Sequence, residues 1–355
     1  MRNTEHRFPY EWTLKDANFT KDKGTVFSCF ACGGGSTMGY KLAGFDVLGC
    51  NEIDPKMIEA YRTNHKPKFS YLEPIQTFKL RKDLPKELYN LDILDGSPPC
   101  SSFSMAGNRE KDWGKEKKFR EGQAEQVLDT LFFDFIDLAK ELQPKIVVAE
   151  NVAGMMMGTA KEYVKKVYEE FKKAGYQLRI EPYLLDASKM GVPQRRKRVF
   201  FIALRNDLAP KFMEQVDMFQ EAPKLDLEFN EKQILFKQIK HNDKGKECTW
   251  DGKWMWDKIE YGSYSQVHPK GQYFGAIKVN PNEVCNTVVS NGGSELFDYR
   301  ENKHLSKQQL CQVGSYPLDY NFGTLQFKYL IGMSVPPVMT AQIASQIHEQ
   351  WLSKI

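Results

Sequence analysis

No apolar run in the sequence approaches membrane-spanning length, and the stretch from Met1 to Gly24 is polar and mixed in charge. A membrane partner and a secretory leader are both excluded on this reading. Cysteine is sparse: seven residues in 355, an odd number scattered along the chain. That is no disulfide framework, and it fits reduced thiols in the cytoplasm. Cys29-Phe-Ala-Cys32 has the spacing of half a zinc site but no second pair or nearby histidine, so no metal is expected. Internal repeats and low-complexity tracts are missing as well. The formal net charge of +4 is too small to argue for a partner by itself.

What is present reads as an ordinary soluble globular chain, with 41% hydrophobic and 27% charged residues and length enough for one large core and a second lobe. The organising stretch is Leu91-Asp-Ile-Leu-Asp-Gly-Ser-Pro-Pro-Cys100. Its apolar start reads as a buried strand ending at Gly96. Pro98 and Pro99 then fix φ and disfavour helix, so the chain leaves the sheet as a stiff loop with Cys100 at its tip. Ligands bind beyond the carboxyl ends of strands in open α/β sheets. A lone cysteine after a turn is better read as structural, and the residues that follow decide between the two readings.

The remaining elements follow the same alternation. Thr25–Phe30 is a strand, a glycine-rich turn follows to Gly39, and Tyr40–Phe45 continues in helical register. Phe45–Asp54 is a second strand ending in carboxylates. Glu52 there suits ribose hydroxyls and Asp54 suits a helix cap before Pro55. Pro55–His65 and Gln123–Leu142 read as helices, the latter amphipathic and stopped by Pro144. Lys145–Val152 is a buried strand ending in Glu150-Asn151. A helix over Gly158–Ala174 and strands over Tyr176–Leu185 and Val199–Leu204 complete the pattern. Strands alternating with helices predict a doubly wound, mostly parallel sheet of the α/β class.

From Arg205 to about Val284 the periodicity dissolves, and Trp250, Trp254, Trp256, Tyr261, Tyr264, Tyr273 and Phe274 gather there. These rings serve either a small lobe's own core or stacking on bases. Helical character returns from Lys303. Two basic stretches, Asn108–Arg120 and Lys189–Arg198, suit phosphate contact or a solvated face.

Cys100 and Glu150 sit at the ends of two strands that face one crevice. A thiolate adding to C6 of a pyrimidine, with an acid at N3, makes C5 a nucleophilic enamine carbon. A positive neighbour must supply the thiolate, and Arg196 or Arg198 is placed to do so.

On these residues the chain resembles a bacterial-type DNA cytosine-5 methyltransferase. The motifs are Phe30-Ala-Cys-Gly-Gly-Gly35, Pro98-Pro-Cys100, Glu150-Asn-Val152, Gln194-Arg-Arg-Lys-Arg198 and Gly332-Met-Ser-Val-Pro-Pro337. The resemblance implies a class I methyltransferase fold with S-adenosyl-L-methionine as donor and a cytosine flipped out of double-stranded DNA. It implies catalytic roles for Cys100, Glu150, Arg196 and Arg198. Cofactor contacts fall on Phe30, Ala31, Gly33, Gly34, Gly35, Glu52, Ile53, Ile75, Pro98, Ser334 and Val335. DNA contacts fall on Ser101, Arg109, Lys111, Gln194 and Arg195. It divides the chain into a catalytic part (1–204), a target-recognition part (205–285) and a C-terminal return (286–355). It further implies a monomer in a bacterial or phage-infected cell, alone or alongside a restriction endonuclease for the same site. Cys32, Pro74 and Met333 depart from the motifs at the glycine turn, the adenine contact and the closing segment. The rival readings are a transfer-RNA cytosine-5 methyltransferase, whose Cys-Phe-Thr tripeptide is missing here, and a silent DNA-binding homologue, which would have lost Cys100 or Glu150.

Overall fold

The computed structural model describes residues 5–99, 130–156, 160–216, 220–240, 243, 245–246, 252–290 and 295–355, with backbone alone at 116–117 and 126–127. They form two compact units. One, the sheet unit, comprises Phe19–Leu185, Lys197–Glu228 and Ile343–Ile355; the second comprises Met1–Asn18, Asp186–Arg196 and Phe229–Gln342. No helix among the described residues is long and apolar enough to cross a membrane.

The sheet unit is built on eight strands: β1 (Thr25–Cys29), β2 (Asp46–Glu52), β3 (Phe69–Leu72), β4 (Ile93–Gly96), β5 (Ile146–Val152), β6 (Tyr176–Leu178), β7 (Tyr183–Asp186) and β8 (Lys197–Arg205). Their order is β3-β2-β1-β4-β5-β8-β6, with β7 also paired to β8. The first five are mutually parallel, and β8 runs antiparallel to both β5 and β6. Strands covered on both faces need apolar side chains on both, which is why β4 and nearly all of β5 are buried.

The helices α1 (Gly35–Leu42), α2 (Pro55–His65), α3 (Ile75–Phe78), α4 (Leu131–Leu142) and α5 (Ala160–Lys173) supply the cover. On α4, Leu131, Phe132, Phe135, Ile136, Leu138, Ala139 and Leu142 are buried, the helical stripe legible in the sequence. Each fully buried ring of this kind contributes about 2–3 kcal/mol of transfer free energy. Phe132 meets Phe201 of β8 at 5.3 Å, and Phe27 of β1 stacks on Phe78 at 5.6 Å. Gln143 ends α4 in the left-handed conformation, φ +49°, donating its N–H to Ala139 O before Pro144. Gly96, the last residue of β4, has no room for a side chain. A Cβ there would lie 2.6 Å from the Phe135 ring.

Three expectations are corrected. Helix α4 starts at Leu131 and not at Gln123, because Gln126–Val127 pairs antiparallel with Glu116–Lys117 and extended pairing replaces the helical period there. Tyr176–Leu185 is two strands, since Pro182 has no N–H to continue a ladder. Helix α1 begins at Gly35, well before Tyr40, because Gly34 at φ +85° closes the turn in one residue. A short hairpin of β9 (Met213–Gln215) and β10 (Glu221–Pro223) completes the unit.

The second unit holds a three-stranded sheet of β11 (Gly262–Ser263), β12 (Ala276–Lys278) and β13 (Glu295–Phe297), beside helix α6 (Lys253–Lys258). Its small core joins Met255, Ile259, Tyr264, Ala276 and Phe297, with Tyr264 stacked on Phe297 at 5.1 Å. Helix α7 (Lys307–Val313) opens with a reciprocal cap: Gln309 N donates to Ser306 Oγ at 3.1 Å, and Ser306 N donates to Gln309 Oε1 at 2.9 Å. Helices α8 (Phe327–Met333) and α9 (Pro337–Gln350) follow. The segment before Asn18 is strapped to this unit by Trp12, whose indole N–H donates to Ser315 O at 2.9 Å, and by Leu14 N, which donates to Asp319 at 2.7 Å.

Candidate active site

The end of β5 carries a charged pair made by strand register. In the antiparallel β5–β8 ladder Phe200 lies opposite Glu150 and Arg198 opposite Val152. Arg198 is therefore two residues along the same face as the partner of Glu150, within diagonal reach. Its Nε donates to Glu150 Oε1 at 2.9 Å, with side chains only 18% and 11% exposed. Burial lowers the guanidinium pKa, and the Glu150 charge opposes that shift. Nη1 of Arg198 also donates to Lys197 O at 2.8 Å. Next along β5, Asn151 Nδ2 donates to Pro98 O at 3.0 Å while its Oδ1 accepts from Val152 N at 2.9 Å. One amide thus ties the exit of β4 to the end of β5. Cys100, Ser101, Arg109 and Lys111 lie outside the described residues.

The turn after β1 is the second part. Phe30 and Cys32 both take left-handed conformations, φ +51° and +47°, and Gly34 follows at +85°. A Cβ on Gly34 would sit 2.3 Å from His65 Nε2, so both its backbone and its surroundings require glycine. His65, the last residue of α2, has its Nε2 3.2 Å from Gly33 O. Burial first, and the nearby Lys41 charge second, push the His65 pKa down to about 3, so the ring is neutral and Nε2–H is the donor. The turn is also held from β2. Glu52 Oε2 accepts from Cys32 N at 2.7 Å, and Oε1 accepts from Ile53 N and Asp54 N, both at 2.9 Å. Burial raises the Glu52 pKa, and those three N–H groups work against the shift. Asp54 caps α2 through Lys56 N and Met57 N at 2.8 and 3.2 Å. Ala31 N donates to Asn51 O at 3.4 Å. Ile75 is buried at the start of α3, directly after Pro74. The acid nearest that position, Glu73, accepts from Arg81 Nη1 at 2.8 Å.

Sequence reasoning passed over Asp95. Buried within β4, it accepts from Ser28 Oγ at 2.8 Å, Ser36 Oγ at 2.7 Å and Tyr40 Oη at 3.2 Å, joining β1, α1 and β4 beside the glycine turn. Burial pushes its carboxyl up to about 6, the three hydroxyls pull it down, and the Glu150 charge adds to the rise. The signal was an acid inside the apolar run Leu91–Gly96, which needs buried donors to be tolerated.

The other predicted residues belong to the second unit. Arg196 is 1% exposed and donates to Val288 O at 3.0 Å, Gly332 O at 2.8 Å and Gln194 Oε1 at 3.4 Å. Gln194 also accepts from Val288 N at 3.1 Å and donates to Val313 O at 3.3 Å. Arg195 pairs with Glu283 at 3.0 Å in the exposed layer. Ser334 is buried, donating to Leu330 O at 2.8 Å and accepting from the Tyr316 hydroxyl at 2.5 Å; Val335 beside it is buried too.

A mostly parallel sheet with flanking helices, a glycine turn after the first strand and an acid at the end of the second make this the class I methyltransferase fold. Solved structures share it. An E. coli prophage protein assigned as a DNA modification methyltransferase superposes with a TM-score of 0.65 at 19% identity, over 92% of this chain and 98% of its own. The Dnmt2 methyltransferase of S. pombe superposes at 0.57 and 16%, over 92% and 99%. Among relatives, the Type II methyltransferase M.FnuDI of Fusobacterium nucleatum is 36% identical over 183 residues, 52% of this chain but only 47% of that protein. M1.HphI of Haemophilus parahaemolyticus is 26% identical over 336 residues, 91% of this chain and 86% of its own. M.MthTI of Methanothermobacter thermautotrophicus is 25% identical over 350 residues, 91% and 96%. The family model described as C-5 cytosine-specific DNA methylase matches residues 24–349. The chain belongs to the C-5 cytosine-specific DNA methylase family.

Proposed function

We propose that the protein methylates C5 of a cytosine flipped out of a specific double-stranded DNA sequence, taking the methyl group from S-adenosyl-L-methionine. The observation that carries this reading is the buried Glu150–Arg198 pair at the end of β5, tied through Asn151 to Pro98, two residues before Cys100.

The glycine turn fits the donor. Glu52 Oε2 accepts one N–H and keeps capacity for a hydroxyl, and Gly34 lets the turn close against His65, which holds the backbone of the turn in place. Phe30, Ala31, Gly33, Gly35, Ile53, Ile75 and Pro98 would complete that cradle. When bound, S-adenosyl-L-methionine supplies an electrophilic methyl on sulfonium sulfur.

The chain's own residues supply the rest. Cys100 adds as thiolate to C6, forming a C–S bond. Glu150 donates a proton or hydrogen bond to N3, so that the electron pair reaches C5, where a C–C bond to the donor methyl would form as that carbon's bond to sulfur breaks and S-adenosyl-L-homocysteine leaves. Loss of the C5 proton to a base then expels the Cys100 thiolate and restores the ring. Arg198 holds the Glu150 carboxyl in position, and Arg196, with its donors on carbonyls, acts as a positioning strut. Target choice rests with residues 205–285, and a restriction endonuclease for the same site is the natural companion in a cytoplasmic setting.

The test incubates the protein with labelled S-adenosyl-L-methionine and either duplex DNA or transfer RNA, then digests the product to nucleosides. Labelled 5-methyldeoxycytidine, lost in Cys100→Ser and in Glu150→Gln, is expected. Label on RNA alone, or label on DNA that survives Cys100→Ser, would overturn the reading.

A further inference from the structure

The second unit displays an aromatic tip that its own core does not use. Trp254, Trp256, Tyr264 and Phe297 all pack into the small core. Residues 269–274, in contrast, are exposed without interruption, and Phe274 reaches 79% and Tyr273 47%. One exposed apolar side chain is ordinary, but two adjoining rings on a loop whose backbone is held are a candidate contact element.

This tip is not loose. His268 Nδ1 accepts from Lys270 N at 3.3 Å and Gln272 N at 3.2 Å, so the ring stands as a post under the loop. The post packs against Trp254 at 6.1 Å and edge-on against Tyr273 at 5.2 Å. The chain turns through left-handed Gly271 and Tyr273, φ +62° and +64°, the second uncommon for a bulky residue. Ala276 N donates to Tyr273 O at 3.0 Å, and Ser263 Oγ donates to Phe274 O at 2.7 Å. Backbone on both sides of Phe274 is thereby fixed while its ring stays in solvent. Ordering cost is met in the free protein, which is how a binding element is preorganised.

The neighbours indicate the occupant. Lys270 offers one positive charge and Gln272 an amide, both exposed. A flat apolar ring flanked by a phosphate-seeking cation and a base-edge amide matches duplex nucleic acid. We propose that Phe274 is a wedge that inserts between base pairs of the DNA duplex, with Lys270 on the adjoining phosphate. The proposal rests on the DNA-methylation reading above and names the contact by which the protein unstacks its substrate.

The test uses the full-length protein and a duplex containing the sequence that it methylates, with 2-aminopurine next to the target cytosine. Phe274→Ala should weaken duplex binding about tenfold or more and lose the fluorescence rise that reports unstacking. Phe274→Trp should keep both. A mismatch at the target pair, already partly unstacked, should restore much of the binding lost in Phe274→Ala. Lys270→Ala should lower the salt dependence by about one phosphate contact. Thermal melting of each variant should match the unsubstituted protein, because an exposed side chain contributes little to folding. Phe274→Ala binding and unstacking DNA normally would overturn the wedge alone. Self-association lost in Phe274→Ala with DNA binding unchanged would assign the tip to a second copy and also overturn it. No DNA methylation by the unsubstituted protein would sink the functional reading, and the wedge with it.

Discussion

Arg198 Nε and Glu150 Oε1 meet at 2.9 Å across an antiparallel strand pair inside a mostly parallel sheet. The reversal of β8 is what makes the contact. It brings the basic start of β8, Lys197-Arg198, to the carboxyl end of β5, where Glu150 stands. The pair separates two roles that mutation can distinguish. Glu150→Gln keeps an oxygen that can accept from Arg198 but removes the counter-charge of the guanidinium, so urea unfolding should show a loss of about 1–2 kcal/mol, smaller than in Arg198→Ala. Single-turnover methyl transfer should nonetheless fall about 100- to 10,000-fold, because an amide cannot protonate N3. Arg198→Ala should instead lower stability by about 3 kcal/mol, since it leaves a buried carboxylate without its guanidinium. Equal effects of both substitutions on both measurements would refute this separation.

Asp95 makes a pH prediction. Its carboxyl is pushed up to about 6 from an ordinary 3.8, chiefly by burial. Between those values the folded protein holds a proton that the unfolded chain has lost. The cost of burying the ion is therefore absent below pH 4, grows through the window, and is complete above pH 6. Asp95→Asn removes that cost while leaving Ser28, Ser36 and Tyr40 a polar partner. Melting curves should show the variant more stable above pH 6, by on the order of 2 kcal/mol, and no more stable below pH 4. A stabilisation independent of pH would show that packing, and not ionisation, sets the effect.

Arg196 tests the second unit. Its guanidinium reaches Val288 O, Gly332 O and Gln194 Oε1 from a position 1% exposed. Arg196→Met keeps the apolar stem but strips the donors from two buried carbonyls, at about 1–3 kcal/mol each. A loss of at least about 2 kcal/mol in urea unfolding is expected. Arg196→Lys should recover only part of it, because one ammonium cannot reproduce the planar fork. Unfolding midpoints unchanged in Arg196→Met would remove the strut role.

Much of the sheet unit was legible because its signals are local. Apolar runs without polar interruption read as covered strands, the stripe on α4 read as a helix face, and Asp54-Pro55 read as a cap, which the structure shows. Elements set by distant partners were not legible. Gln126–Val127 carries no strand signal of its own and is extended because it pairs with Glu116–Lys117. Glu52 could be seen as an acid at a strand end, but not as the acceptor of three backbone N–H groups, which depends on how the turn at Cys32 closes. Nor does helical or strand periodicity reveal that Asp95 gathers hydroxyls from Ser28, Ser36 and Tyr40, residues 55–67 positions away. Trp12 on Ser315, 303 residues apart, is further still from anything a local window contains.

The last prediction concerns the departure at Cys32. Cys32 sits at φ +47°, where a Cβ crowds the following carbonyl and a glycine would not. The left-handed region costs an ordinary residue about 1 kcal/mol or more, so this chain carries strain in the turn that Glu52 and His65 hold in place. Cys32→Gly relieves it. The gain is partly offset because glycine frees the unfolded chain, and a net stabilisation of about 0.5–1 kcal/mol remains. Cys32→Ala separates backbone from thiol, since it keeps the Cβ and should stay within about 0.5 kcal/mol of the parent protein. Phe30, at φ +51°, provides the contrast. Its ring lies 6.3 Å from Phe135, so Phe30→Gly trades relieved strain for lost packing and should destabilise. Urea unfolding of the three variants decides the matter: Cys32→Gly no more stable than Cys32→Ala would mean that the turn is not strained at this residue.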